Sequence, residues 1–155
     1  LQIMKDSRIG SYGAIALIVS FLLRATAIAV LFRELSPLAI AACLVASACF
    51  SRGLMVWHWQ TLPPARDGGL AAMAGQPGER ERKGAIICGL AIAVLLCLPI
   101  VSLYLLAIVI AALFGVTHVF NRFCYRRIDG HTGDTIGATQ QITEIVMLTA
   151  LALIV

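Results

Sequence analysis

The 155 residues are 60% hydrophobic and only 13% charged, with a mean hydropathy of +0.92 and a formal net charge of +4. That composition excludes an ordinary soluble globular domain and describes an all-α, polytopic integral membrane bundle. The twelve basic residues neither form one block nor interleave with stacking aromatics, which argues against a nucleic-acid partner and for a role in setting membrane topology. Cys43, Cys49, Cys88 and Cys97 sit in apolar runs and Cys124 beside one, with no C-x-x-C and no Cys/His pair at metal spacing, so they read as small buried hydrophobes.

The chain opens on Leu1, without an initiator Met or a signal-peptide pattern, and is expected to be the C-terminal part of a longer protein. Residues 1–13 are polar and glycine-containing. Ala14 to Phe32 is then apolar, and about twenty residues at 1.5 Å each cross roughly 30 Å of hydrocarbon. Arg33 to Pro37 predicts a turn, and Leu38 to Trp57 a second span, interrupted near its end by Ser51-Arg52-Gly53. Trp57 and Trp59 flank His58 and mark a membrane interface, with His58 an interface residue. From residue 60 to 84 the composition shifts to Pro, Gly and alternating charge, which predicts a cytoplasmic loop within a single transmembrane domain covering residues 1–155.

Ala85 to Thr117 is apolar for more than thirty residues, too long for one crossing, and Pro99 predicts a break. Charge bias decides for two segments. If the chain reverses at Pro99, then Lys5, Arg8, Arg66, Arg80, Arg82, Lys83, Arg122, Arg126 and Arg127 share one side and only Arg33 lies on the other. The segments are Ala85 to Leu98, short enough to be re-entrant, and Ile100 to Thr117. With Ile136 to Val155 the count is about five, and polar loops 1–13, 60–84 and 118–135 share one cytoplasmic face.

Polar residues cluster ahead of the last span. Arg127 to Ala138 brings Asp129, His131, Thr132, Asp134, Thr135 and three glycines to the mouth of an apolar helix. Thr132 can cap that helix, and free N–H groups at a helix N-terminus also suit a phosphate; an ordinary glycine turn remains the alternative. Asp6, in Met4-Lys5-Asp6-Ser7-Arg8, is either a capping residue or a Mg²⁺ carboxylate beside phosphate-binding cations, and Asp134 and Asp129 can serve the same shell or act as base. His131 is the one histidine in a strongly polar loop, and His118 reads as a helix-end residue.

Two further charges lie at membrane depth. Arg24, midway along the first span, needs a partner, and Glu144 in the last span is at similar depth, with Gln140 and Gln141 nearby. The pair is either purely structural or part of a polar pathway. Arg52 either snorkels to water or binds a phosphate through its planar fork.

Three segments together resemble a known family. Ile-Met-Lys-Asp-Ser-Arg-Ile-Gly at residues 3–10, Ser51-Arg52-Gly53, and His131-Thr132-Gly133-Asp134-Thr135-Ile136-Gly137-Ala138 followed by Glu144 are similar, in order and spacing, to bacterial cobalamin synthase, the adenosylcobinamide-GDP ribazoletransferases. The resemblance runs the length of the chain. It implies a Mg²⁺-dependent inner-membrane phosphotransferase that joins adenosylcobinamide-GDP to α-ribazole or its 5′-phosphate and releases GMP, in a lipid bilayer and with a homo-oligomer left open. Asp6 matches the family's M-x-D-S-R segment and Asp134 its T-G-D segment. The resemblance thus implies Asp6 as metal ligand, Asp134 as ligand or base, and Lys5, Arg8, Arg52, Thr132 and Gly133 on phosphate oxygens. The family's aspartate-rich signature has no counterpart here, so roughly the N-terminal third of the protein is expected to lie outside this chain. A non-enzymatic small-solute transporter or membrane scaffold is the competing class, and a CDP-alcohol phosphotransferase is disfavoured because its double-aspartate signature is absent.

Overall fold

The computed structural model describes residues 10–65 and 75–155. Lys5, Asp6, Arg8, Arg66 and Asp67 lie outside the described residues. Among the described residues five helices follow in chain order: α1 (Ser11–Glu34), α2 (Pro37–Thr61), α3 (Glu79–Cys97), α4 (Leu103–Ile128) and α5 (Gly133–Ile154). Among the described residues the one bridge of β type is an isolated parallel pairing of Pro64 with His131. The architecture is that of a polytopic helical membrane protein. Four of the helices, α1, α2, α4 and α5, are both long and apolar enough to cross a membrane. The fifth, α3, opens on Glu-Arg-Glu-Arg-Lys and keeps a shorter apolar stretch.

Local chemistry explains the boundaries. Ser36 ends the α1–α2 turn by accepting from the Ala39 N–H at 3.4 Å, and Pro37 occupies the first helical position, where a missing N–H costs nothing. Charged residues carry α3 one and a half turns ahead of its apolar run. Glu79 and Glu81 favour the positive helix N-terminus, and Lys83 Nζ lies 2.8 Å from Glu79 Oε1, a contact that lowers the Glu79 pKa. The reversal expected at Pro99 occupies residues 98–102, and Ser102 then caps α4.

Two expectations need correction. Ser51-Arg52-Gly53 does not interrupt α2. Ser51 Oγ and Arg52 Nη1 both donate back to the Ala48 carbonyl, at 3.1 and 2.8 Å, so the polar side chains are absorbed by their own helix. Gly53 serves packing instead: a Cβ there would stand 2.7 Å from the Ala85 carbonyl oxygen, and one at Gly89 would stand 2.9 Å from that of Cys49. One glycine on each helix lets α2 and α3 cross antiparallel with their backbones nearly touching.

The second correction concerns 118–135, which is not a loop. The buried residues of α4, Leu106, Val109, Leu113, Thr117, Asn121 and Cys124, keep a three-to-four spacing that carries the helix past Thr117 to Ile128. Asp129 then caps α4 with φ 53°, a left-handed conformation that Asp tolerates better than most residues. The last helix correspondingly begins at Gly133, three residues before Ile136.

Helix α2 is the centre of the bundle. It packs most extensively on α3 and next on α5, while α1 and α4 each lie against α5. The core joins Phe50 and Leu54 of α2, Ala93 and Cys97 of α3, Leu106 and Leu113 of α4, and Met147, Leu148 and Leu151 of α5. Because the two short reversals alternate the helix directions, α2 and α4 end, and α3 and α5 begin, at one end of the bundle. That polar end holds the candidate site.

Candidate functional site

Three helix termini are tied together at the polar end by neutral hydrogen bonds. His58, near the end of α2, is fully buried; its Nδ1 lies 2.6 Å from Asn121 Oδ1 on α4 and its Nε2 lies 3.1 Å from Thr135 Oγ1 on α5. With Nδ1–H donating to Asn121 Oδ1, Nε2 of the neutral ring is an acceptor beside the Thr135 hydroxyl, whose single proton it shares with the Thr132 carbonyl 3.0 Å away. Residues just beyond α2 add a backbone clasp. The His131 N–H donates to the Pro63 carbonyl at 2.8 Å, and the Ala65 N–H donates to the His131 carbonyl at 2.9 Å. His131 Nδ1 donates to the Leu62 carbonyl at 2.8 Å, while Nε2 is buried without a hydrogen-bond partner among the described residues. Gly130 makes the clasp sterically feasible, since any Cβ there would collide with the Pro63 carbonyl.

The clasp fixes the first turn of α5. The Thr132 N–H donates to Thr135 Oγ1 at 2.9 Å, and the Thr135 N–H donates to Thr132 Oγ1 at 3.4 Å, a reciprocal capping box. Thr132 is therefore buried and its own polar groups are used within the turn, which leaves Gly133 and Asp134 as the outward-facing members. Their N–H groups take no protein partner among the described residues, and the space beside Gly133 is open. The Asp134 carboxylate stands exposed beside them. The turn can accordingly offer an anion two backbone donors and offer a cation one carboxylate oxygen.

Further along α5 lies a second polar group. Arg24 Nη2 of α1 donates to Gln141 Oε1 at 2.8 Å, and Arg24 Nε lies 3.6 Å from Glu144 Oε1. Gln140 Nε2 donates to the other Glu144 oxygen, and Gln141 Nε2 donates to Gln140 Oε1 at 2.8 Å. Glu144 thus holds Arg24 on one side and Gln140 on the other. Arg52 takes no part in either cluster: it is exposed on α2, with its guanidinium turned back to Ala48.

For Mg²⁺ the described residues offer, at the polar end, the exposed carboxylate of Asp134 as a candidate ligand. Among the described residues no three His, Cys, Asp or Glu side chains gather as metal ligands. Asp134 fits the role of one protein carboxylate in a shell otherwise made by substrate phosphate and water, the usual habit of this ion. Sequence reasoning missed His58, Asn121 and Thr135 as a unit. The signal was there, because His58 continues the core spacing of Phe50 and Leu54, and Asn121 that of Leu113 and Thr117. A polar residue on a core stripe needs a buried partner.

The capped T-G-D turn at the polar end is one of the three segments on which the resemblance to cobalamin synthases rests, and comparison with known proteins decides it. A model of the cobalamin-5-phosphate synthase family matches residues 1–152. The chain belongs to that family.

Curated relatives agree. Proteins named adenosylcobinamide-GDP ribazoletransferase from Rhizobium etli (strain CIAT 652) and from a Sinorhizobium species are 51% and 50% identical, covering 98% and 100% of this chain and 58% and 60% of their own length. A third, from Azorhizobium caulinodans, is 42% identical over 96% of this chain and 56% of its own length. The chain thus spans somewhat under two thirds of these cobalamin-5-phosphate synthase relatives. No solved structure matches it. Family membership speaks against the transporter or scaffold alternative.

Proposed function

We propose that this chain forms part of a Mg²⁺-dependent transferase of the bacterial inner membrane that joins adenosylcobinamide-GDP to α-ribazole, or its 5′-phosphate, giving adenosylcobalamin, or its phosphate, and GMP. The reading is carried by one observation, the open Gly133-Asp134 turn of α5 in a chain that the family model covers over residues 1–152. A hydroxyl of the ribazole ribose attacks the phosphorus nearer the cobinamide. The new P–O bond forms as the bond to the GMP oxygen breaks, and the hydroxyl proton passes to a base.

In this reading the Gly133 and Asp134 N–H groups hold a pyrophosphate oxygen, and the positive end of α5 favours the charge that develops there. Asp134 either takes the proton or binds the metal, with Asp6 as a further ligand. Lys5 and Arg8 supply cations for the phosphates, and Arg52 joins them by releasing its contact with the Ala48 carbonyl. Bound Mg²⁺ supplies charge neutralisation at the pyrophosphate. Residues 1–13, the 60–84 region and the α4–α5 turn face the cytoplasm, where both substrates are water-soluble.

The test uses membranes that carry the complete protein. They should make adenosylcobalamin or its phosphate from the two substrates with Mg²⁺ and not with chelator present. Asp134→Asn and Asp6→Asn should each abolish turnover at unchanged expression. Full activity in either variant removes that residue from the site, and no product with the intact protein ends the proposal.

A further inference from the structure

The outer surface of α4 carries a feature that the reaction does not use. Gly115, Val119, Arg122, Phe123 and Arg126 follow helical spacing along one exposed stripe. Two cavities lie on this stripe and share Val119 and Phe123 as walls. The lower, of about 480 Å³, is apolar and is lined by Gly115, Val119, Phe120 and Phe123, with Ile142 of α5 as the opposite wall. The upper, of about 380 Å³, is lined by Val119, Phe123 and three arginines, Arg122, Arg126 and Arg127. The Arg127 guanidinium lies 5.8 Å above the Phe123 ring, which pins one cation over the junction. Among the described residues no acidic side chain lines either cavity.

Depth matches chemistry. From Leu103, the first residue of α4, to Arg122 is about 28 Å of helix, close to the roughly 30 Å hydrocarbon thickness. The groove therefore runs at acyl-chain depth and the arginines emerge at the headgroup layer. We propose that this stripe binds one anionic phospholipid, with the phosphodiester on Arg122 and Arg126 and an acyl chain laid past Gly115. Topology by charge bias asks for basic residues on this side of the membrane, but it does not ask for an apolar channel that ends on them. Three arginines line one cavity with no acidic side chain among the described residues beside them, and planar guanidinium forks suit a phosphodiester. A zwitterionic lipid brings its own cation and gains less.

The complete protein, purified in a neutral detergent, is examined by native mass spectrometry with equal amounts of phosphatidylglycerol and phosphatidylcholine. Phosphatidylglycerol should be retained at least about tenfold more, and each of Arg122→Gln and Arg126→Gln should reduce that retention by about fivefold. Gly115→Leu keeps every charge but obstructs the groove, and it should also lower retention; it decides the matter if an arginine variant does not fold. Glycerol phosphate, which has the headgroup charge without chains, should not displace the lipid. Equal retention of the two lipids, an undiminished level in Gly115→Leu, or displacement by glycerol phosphate at the lipid's own concentration would overturn the proposal, the last by making this a free-phosphate site.

Discussion

The two polar clusters on α5 solve the same problem in opposite ways. The one around His58 is neutral and sealed: the imidazole is fully buried and both nitrogens meet a partner from another helix. The one around Arg24 is charged and looser, with the Arg24 and Glu144 side chains 25% and 19% exposed and Arg24 Nε without a hydrogen bond among the described residues. A sealed neutral network has nothing to gain from a ligand and serves as a tie. A half-open ionic one holds its helix less tightly, because part of its attraction is spent against solvation and geometry.

The comparison predicts a ranking of stabilities. His58→Ala would strand Asn121 and Thr135 in the interior and remove a packed ring at once, a loss of about 3 kcal/mol in the unfolding of the detergent-solubilised protein. A loss below about 1 kcal/mol would mean that the three helix ends are held by something else. Gly89→Ala probes the neighbouring contact without polar chemistry. Its methyl group meets the Cys49 carbonyl, and about 2 kcal/mol should be lost as α2 and α3 are wedged apart.

The ionic cluster should give less. A double-mutant cycle of Arg24→Gln with Glu144→Gln should return a coupling near 1 kcal/mol, and a coupling indistinguishable from zero would remove the pair as a link between α1 and α5. Asp134→Asn should be the mildest of all, under about 1 kcal/mol, since an exposed carboxylate in a first helical turn contributes only its interaction with the helix dipole. Its stability should therefore stay near wild type while its turnover disappears, which separates a chemical role from a structural one.

The helices were legible because membrane spans announce themselves by apolar length, and Pro99 and Pro37 mark the reversals by removing a donor. The T-G-D turn was legible because polar residues before an apolar span are conspicuous. His58 was not, since two flanking tryptophans resemble an interface belt and the interface reading draws attention away from the core stripe on which His58 lies. Ser51-Arg52-Gly53 misled in the other direction: three residues that break soluble helices are harmless where serine and arginine bond to their own helix and glycine admits a neighbouring backbone. Arg122 to Arg127 suggested a loop because charge ends a hydrophobic run, although charge does not end a helix.

One consequence of the reversal at 98–102 concerns the bilayer itself. From that common turn, the apolar part of α3 back to Ala85 rises only about 18 Å, whereas α4 rises about 27 Å before Asn121. The two arms of this hairpin therefore reach water at unequal heights. Either lipid beside α3 thins, so that the membrane boundary slopes there rather than lying flat, or α3 is shielded by protein.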